Sequence, residues 1–421
     1  MQDSISKSRN SNVIVIVAII TALSLLGDSM LYIALPIFWR EAGLDSIWQV
    51  GILLSINRLI RLPFNPIVGW IYKKISLRTG LIIAILIGAF TTLGYGLFKG
   101  FIAWIILRGI WGIAWSFFRI GGLSSVAYYA DENRRGEAMG IYNGIYRLGS
   151  LIGMLLGGIL VPIVGLQSVS ILFGCLTLIG LPFIFYTFGT GFSTQVEKKP
   201  RAQSTFHLSF AHKQKNLLIV SGFLTTMLFQ GVLTSTLSSL IERNYGQHIN
   251  LFGLIISVTF LSGLIQSARW MWEPFLGRRF GIWSDGPNGR VPIFVFSLII
   301  TGVTFGIISI ELPLIGWILI TLLVMIGAIA ISTVTDAIAI DVARTANVVS
   351  FLTLYSIVQD VGAALGPFIS YMLIEIENGF TYLYWGGAGI FIVLASFWMI
   401  LYFQEKASAL NPIESRNSIS K

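Results

Sequence analysis

Ten ionisable side chains interrupt apolar stretches of this chain: Asp28, Arg58, Arg61, Arg108, Arg119, Arg147, Arg269, Glu273, Asp336 and Asp360. Charge is expensive in hydrocarbon, so such groups face a cavity or a partner and mark functional positions by default. Their chemistry is of two kinds. A guanidinium binds carboxylate or phosphate through paired hydrogen bonds. A carboxylate that is desolvated yet lies near a guanidinium can take up and release a proton as its surroundings change. Arg58 and Arg61 are three residues apart and share one helix face. At about 1.5 Å of rise per residue they lie roughly 15 to 20 Å from the outer surface, and Asp360 roughly 10 to 15 Å. The first half of the chain holds five of the arginines and one acid, and the second half holds one arginine and three acids.

Other chemistries lack their residues. There is no His-Glu-x-x-His, no cysteine cluster and no Walker loop, so an enzyme, a metal centre and ATP-driven transport are not expected, and no cofactor is called for. His207, His212 and His248 fall in expected loops, which argues against a histidine relay within the spans. The single cysteine, Cys175, reads as a small core residue. Aromatic residues such as Trp111, Trp115, Tyr142, Tyr146, Trp270 and Trp272 are candidates to line an apolar pocket beside the charges.

The elements that hold these residues follow from composition. The chain is 55% hydrophobic and 11% charged, with a mean hydropathy of +0.80, which excludes a water-soluble fold. A spanning helix needs about 20 apolar residues, and twelve runs qualify: 13–36, 48–71, 79–98, 101–129, 138–162, 168–189, 217–241, 251–276, 291–310, 312–340, 348–374 and 380–403. The first run is too long for a signal-peptide core and is expected to be retained as a span. With the N-terminus inside, the only basic residues outside the spans that fall on the far side are Arg40, Lys99 and Arg243. This is the positive-inside pattern. It places both termini in the cytoplasm and accounts for the net charge of +9 without nucleic acid.

The longest polar stretch, 191–216, divides an N-terminal six-helix half (1–190) from a C-terminal one (217–421). The halves echo one another. Tyr142, Gly149 and Gly153 recur as Tyr355, Gly362 and Gly366, with Asp360 where Arg147 stands, and Arg58, Pro63 and Phe64 recur as Arg269, Pro274 and Phe275. A duplicated six-helix unit of this kind sets a substrate site between its halves.

Four signatures resemble those of the major facilitator superfamily. Gly281-Ile-Trp-Ser-Asp285-Gly-Pro-Asn-Gly289-Arg290 is similar to the family's Gly-x-x-x-Asp-x-x-Gly-Arg loop with one extra residue. The matching first-half loop, from Gly69 to Arg78, keeps the glycine and the basic residues but lacks the acid. Arg108-Gly-Ile-Trp-Gly112 resembles the intramembrane Arg-x-x-x-Gly. Gly149-x-x-x-Gly153-Met154-x-x-Gly157-Gly158 resembles the antiporter signature, with methionine in place of proline. The Asp28 to Pro36 segment of the first span is similar to that of drug and metabolite exporters in the superfamily.

The resemblance implies an all-α membrane protein of twelve spans in two pseudo-symmetric bundles, resident in the cell membrane, monomeric and working by alternating access. It implies a proton-coupled exporter of a small organic solute, and the arginines tilt that solute towards an anion or zwitterion. A lipid flippase or an importer on the same fold is the alternative. Arg58, Arg61, Arg147, Trp115, Tyr142 and Tyr146 are then the substrate-binding candidates, and Asp28, Asp360 and Glu273 the proton-coupling ones. Arg108, Gly69, Asp285, Arg290, Gly149 and Gly153 are candidates for gating or structural roles. Family architecture also suggests that Arg58 and Arg61 meet Asp360, and that Arg147 meets Glu273, in one conformation. Arg269 and Asp336 are expected to snorkel at the cytoplasmic edge.

Overall fold

The structure is a computed structural model, and it describes residues 2–130, 135–188, 213–251, 253–285, 289–344 and 348–410. Most of the expected linker, together with His207 and His212, lies outside the described residues. The helices are α1 (Gln2–Phe38), α2 (Trp48–Ile71), α3 (Leu77–Leu97), α4 (Phe101–Tyr129), α5 (Arg135–Leu178), α6 (Gly180–Phe188), α7 (Lys213–Thr226), α8 (Thr234–Tyr245), α9 (Val258–Ser284), α10 (Arg290–Ile307), α11 (Leu314–Arg344), α12 (Val348–Ile374) and α13 (Gly379–Leu410). A π-helical turn, Met227–Leu233, joins α7 to α8.

Among the described residues, nine helical stretches are long and apolar enough to cross a membrane. Helices α2 and α9 are long enough, at 24 and 27 residues, but fall outside that set. The charges singled out above, Arg58 and Arg61 in α2 and Arg269 and Glu273 in α9, lower their hydropathy. Helix α5 runs on across a break at Gly165, where φ of 83° and ψ of 156° leave the helical region. That break falls between the expected fifth and sixth spans. Only a residue without a side chain adopts such a φ readily, and Glu41 Oε2 accepts the freed Leu166 N–H at 3.2 Å.

Two expectations are corrected. Residues 251–257 do not begin a span. His248–Leu251 (β1) and Leu254–Ser257 (β2) form an antiparallel hairpin pairing His248 with Ser257 and Leu251 with Leu254. Asn250 Oδ1 accepts from the Gly253 N–H at 2.9 Å, and Gly253 has φ of 86°, so a turn precedes α9. Cys175 is exposed on the outer face of α5 rather than packed in a core. In a membrane both the lipid face and the core are apolar, so hydropathy does not separate them.

The described chain forms two compact units. One comprises Met1–Arg201, Gln230–Trp270 and Ala363–Glu375, and the other comprises Ala202–Phe229, Met271–Gly362 and Ile376–Lys421. In the first, α5 lies against α1 through a ladder of glycines. A Cβ at Gly149 would sit 2.3 Å from the Ala22 carbonyl oxygen, one at Gly153 2.6 Å from that of Leu26, and one at Gly157 2.5 Å from the Met30 side chain. The spacing is four residues on both helices, the register at which small residues let helix backbones touch. Gly112 likewise brings α4 onto α2, since its Cβ would meet the Asn57 carbonyl at 2.5 Å. Hydroxyls in the spans turn back on their own helices: Thr21 donates to Val17 O at 2.8 Å, Ser24 to Ile20 O at 3.0 Å and Ser116 to Gly112 O at 3.1 Å. This leaves them satisfied without water.

In the second unit α10 packs against α11 and α13. Trp398 Nε1 donates to Ser221 Oγ at 2.8 Å, and Gly387 admits the Phe305 ring, 2.6 Å from where its Cβ would stand. The ladder carries a testable consequence. Gly153→Leu forces α1 and α5 apart and should destabilise the purified protein by about 1 to 3 kcal/mol or more, read as a lower unfolding temperature. Gly144→Ala, where a Cβ meets nothing within 4 Å, should not lower that temperature and, because alanine favours the helix, should raise it slightly.

Candidate functional site

The site begins at a charge with no route to water. Arg108 of α4 is fully buried and forms an ion pair with Asp28 of α1, itself about 8% exposed, through Nη1 and Oδ1. Arg108 Nε also donates to the Leu53 carbonyl of α2 at 2.9 Å. The close approach at Gly112, one turn further along α4, lets that guanidinium reach a backbone oxygen of α2. Asn57 Nδ2 adds a second bond to Asp28 Oδ1 at 2.9 Å. Three helices are thus tied at one carboxylate.

From Asn57 the network continues to the substrate-binding candidates. Its Oδ1 accepts from Arg61 Nη2. The Arg61 guanidinium lies 5.2 Å from the Trp115 ring centre, Trp115 meets Tyr146 edge-on at 6.0 Å, and Tyr146 leans on Tyr142 at 5.2 Å. Tyr142 itself is buried in the core among α1, α3 and α4, with its hydroxyl donating to Phe118 O at 3.5 Å, so it supports the row rather than lining it. Trp111 is fully buried in the same cluster. Arg58 Nε donates to the Tyr32 hydroxyl at 3.3 Å and its Nη1 to Gln230 Oε1 at 3.3 Å. Gln230 stands in the π-helical turn, whose widened backbone presents it.

Arg147 and Arg269 lie over the same indole, that of Trp270, at 5.3 and 5.6 Å. Each contact is worth about 0.5 to 2 kcal/mol, more as water is excluded. Arg269 is only 9% exposed.

The second unit carries the remaining candidates. Glu273 on α9 and Asp360 on α12 are half-buried. Asp336 accepts from the Tyr355 hydroxyl at 3.0 Å and from Gln359 at 3.5 Å, so a buried phenol holds it. Arg290 joins two carboxylates, Asp285 at 3.0 Å and Asp341 at 2.6 Å, and so ties the start of α10 to the end of α11. The glycines of the two matching loop motifs are not sites of close helix approach. A Cβ at Gly69 would stand 4.0 Å from Ile120, and one at Gly281 would meet nothing within 4 Å. Gly149 and Gly153, by contrast, are sites of backbone contact.

Asn57, Gln230 and Asp341 were missed by the sequence reading. Asn57 alone left a trace, one helical turn before Arg61.

Apolar helices joined through a desolvated ion pair, with further guanidiniums held against aromatic rings, define a multi-pass membrane protein built to handle charge inside the bilayer. Residues 17–286 match the family model of the Major Facilitator Superfamily, and the chain belongs to that family, whose members are transporters rather than enzymes. It is 30% identical over 132 residues to the chromaffin granule amine transporter of Rattus norvegicus, a match spanning 31% of this chain and 25% of that protein. It is 26% identical over 159 residues to the vesicular acetylcholine transporter of Torpedo torpedo, spanning 36% and 31%. The chain thus matches about a quarter to a third of these relatives' own length.

Solved structures extend the likeness in fold. A bacterial homologue of the human lysosomal transporter Spinster, inward-facing and unoccupied, superposes with a TM-score of 0.69 at 16% identity over 93% of this chain and 96% of that one. A peptide transporter in complex with sulfate gives 0.72 at 11% identity over 94% of each.

The exposed Arg290 cluster yields a prediction of opposite kind to the buried pair. Asp285 and Asp341 are 63% and 45% exposed, so Asp285→Asn or Asp341→Asn should each change unfolding stability by no more than about 1 kcal/mol. Thermal unfolding at low and high salt checks this; a larger loss in either variant would mean that the cluster is a structural anchor.

Proposed function

We propose that the chain is a secondary transporter working by alternating access, which exports a small organic anion or zwitterion across the cell membrane in exchange for protons. The observation that carries the substrate class is the charge inside the spans. Six arginines stand there with four carboxylates, and one of those carboxylates, Asp28, is committed to Arg108. The spans thus carry more guanidinium than carboxylate, and that net positive charge favours an anionic substrate. Arg61 and Arg58, beside Trp115, Tyr146 and Tyr32, offer both halves of such a ligand a partner: charged donors for a carboxylate or phosphate, and ring faces for an apolar body.

In this reading there are twelve spans, counting the two limbs of α5 about Gly165 separately, α7 and α8 together, and including α2 and α9. Two six-helix repeats make them up. The glycines of the echoed motif support the duplication: Gly149 and Gly153 meet the backbone of α1 at Ala22 and Leu26, while Gly362 meets Phe223 O at 2.4 Å and Gly366 lies against Gly231. The lean of Lys and Arg towards one set of connections supports cytoplasmic termini. Protons would couple through Asp360, Glu273 and Asp28. For Asp28 that step needs Arg108 to withdraw first, because the carboxylate is engaged in its ion pair.

An amine substrate is the second reading, favoured by the names of the curated relatives and by the aromatic row. Flux into proteoliposomes under an imposed pH gradient separates the two, with benzoate as the anionic probe and choline as the cationic one. The expected result is saturable, gradient-driven benzoate flux that Arg61→Ala reduces by about tenfold or more, the loss of one charge-assisted contact. Choline flux untouched by Arg61→Ala, with no benzoate flux, would replace this reading with the amine one. Flux indifferent to the gradient would remove proton coupling.

A further inference from the structure

Asn57 is fully buried and uses both ends of its side chain. Its NH2 faces the Asp28 carboxylate, and its carbonyl oxygen faces the Arg61 guanidinium. This order follows from chemistry. An ionised carboxylate only accepts and a guanidinium only donates, so an amide between them has one workable orientation. A methyl or a second carboxylate at position 57 would leave at least one neighbour badly served, and a hydroxyl, although it can donate and accept, sits on a shorter side chain that does not span both. Asp28 is in turn held by Arg108, and Arg108 by the backbone oxygen of Leu53. The result is a rigid line of donors and acceptors running from the most deeply buried charge of the unit to a guanidinium at the aromatic row.

We propose that Asn57 is the positioning residue for Arg61. The Asp28–Arg108 pair sets the amide, and the amide sets the guanidinium against Trp115 in the attitude that meets a substrate anion. The part concerning substrate rests on the anion reading given above; the part concerning Arg61 does not. Without Asn57 the guanidinium of Arg61 loses the acceptor that aligns it with the row, so anion recognition weakens while the buried pair stays intact. This differs from a packing role, in which loss of Asn57 would loosen α2 from α1 and α4 and act on every function alike.

The test has two arms on the purified full-length protein, using Asn57→Leu, which matches the volume, and Asn57→Thr as a smaller second variant. In the first arm phenylglyoxal labels arginines, and mass spectrometry reads the rate at Arg61 relative to Arg58. The expected result is a ratio at least about threefold higher in both variants than in the parent protein; an unchanged ratio overturns the proposal. In the second arm benzoate binding is followed by its effect on tryptophan fluorescence. Asn57→Leu and Arg61→Ala are expected to weaken it by similar factors, and the double variant no more than Arg61→Ala alone, because residues acting through one another are not additive. Factors that multiply would overturn the proposal. Absence of benzoate binding in the parent protein would defeat the anion reading, with the labelling arm still deciding the role of Asn57.

Discussion

A single ion pair in a place without water constrains most of what surrounds it. Arg108 and Asp28 are taken fully or almost fully out of solvent, and a lone charge of either sign in the middle of a bilayer costs about 3 kcal/mol or more. Pairing alone does not satisfy a guanidinium. Nε needs an oxygen too, which is why α4 must lie close enough to α2 for it to reach Leu53 O, and why position 112 has no side chain. The carboxylate needs further donors, and Asn57 provides one. The first of these requirements fixes α4 against α2.

The glycine ladder supplies the other half of the same constraint. Ala22, Leu26 and Met30 form one stripe on α1, against which Gly149, Gly153 and Gly157 press. Asp28 is two residues from Leu26 and two from Met30, and two residues of helix turn the chain by about 200°. The face opposite the α5 contact therefore carries the acid towards α2 and α4. A motif that resembles an export signature thus has a plain mechanical role here: it seats α1 so that Asp28 points at its partner.

Much of this was legible in the sequence, though unevenly. Intramembrane charges announce themselves because arginine in an apolar run has few explanations, and the Gly-x-x-x-Gly spacing of α5 has a geometric meaning before any partner is known. The partners were not legible. Asp28 and Arg108 are eighty positions apart in the chain, and hydropathy carries no information on which charges meet, so Asp28 reads as a proton site and Arg108 only as a gating or structural residue. Asn57 does not ionise and so drew no notice. The β hairpin was hidden because Ile249, Leu254, Ile255 and Ile256 are as apolar as the helix that follows, and the π-helical turn at Gln230 has no compositional mark at all. Cys175 was misplaced for a reason particular to membranes, where the outside of the protein is as oily as its inside.

The central claim is that the Asp28–Arg108 pair holds the first unit together as one electrostatic object, and a thermodynamic cycle measures this directly. Unfolding free energies of the detergent-purified protein would be compared among the parent, Asp28→Leu, Arg108→Leu and the double variant. The account predicts that each single change removes about 3 to 5 kcal/mol by leaving the other charge buried alone, and that the double variant regains a large part of that loss. Two small single effects, or losses that simply add, would contradict it.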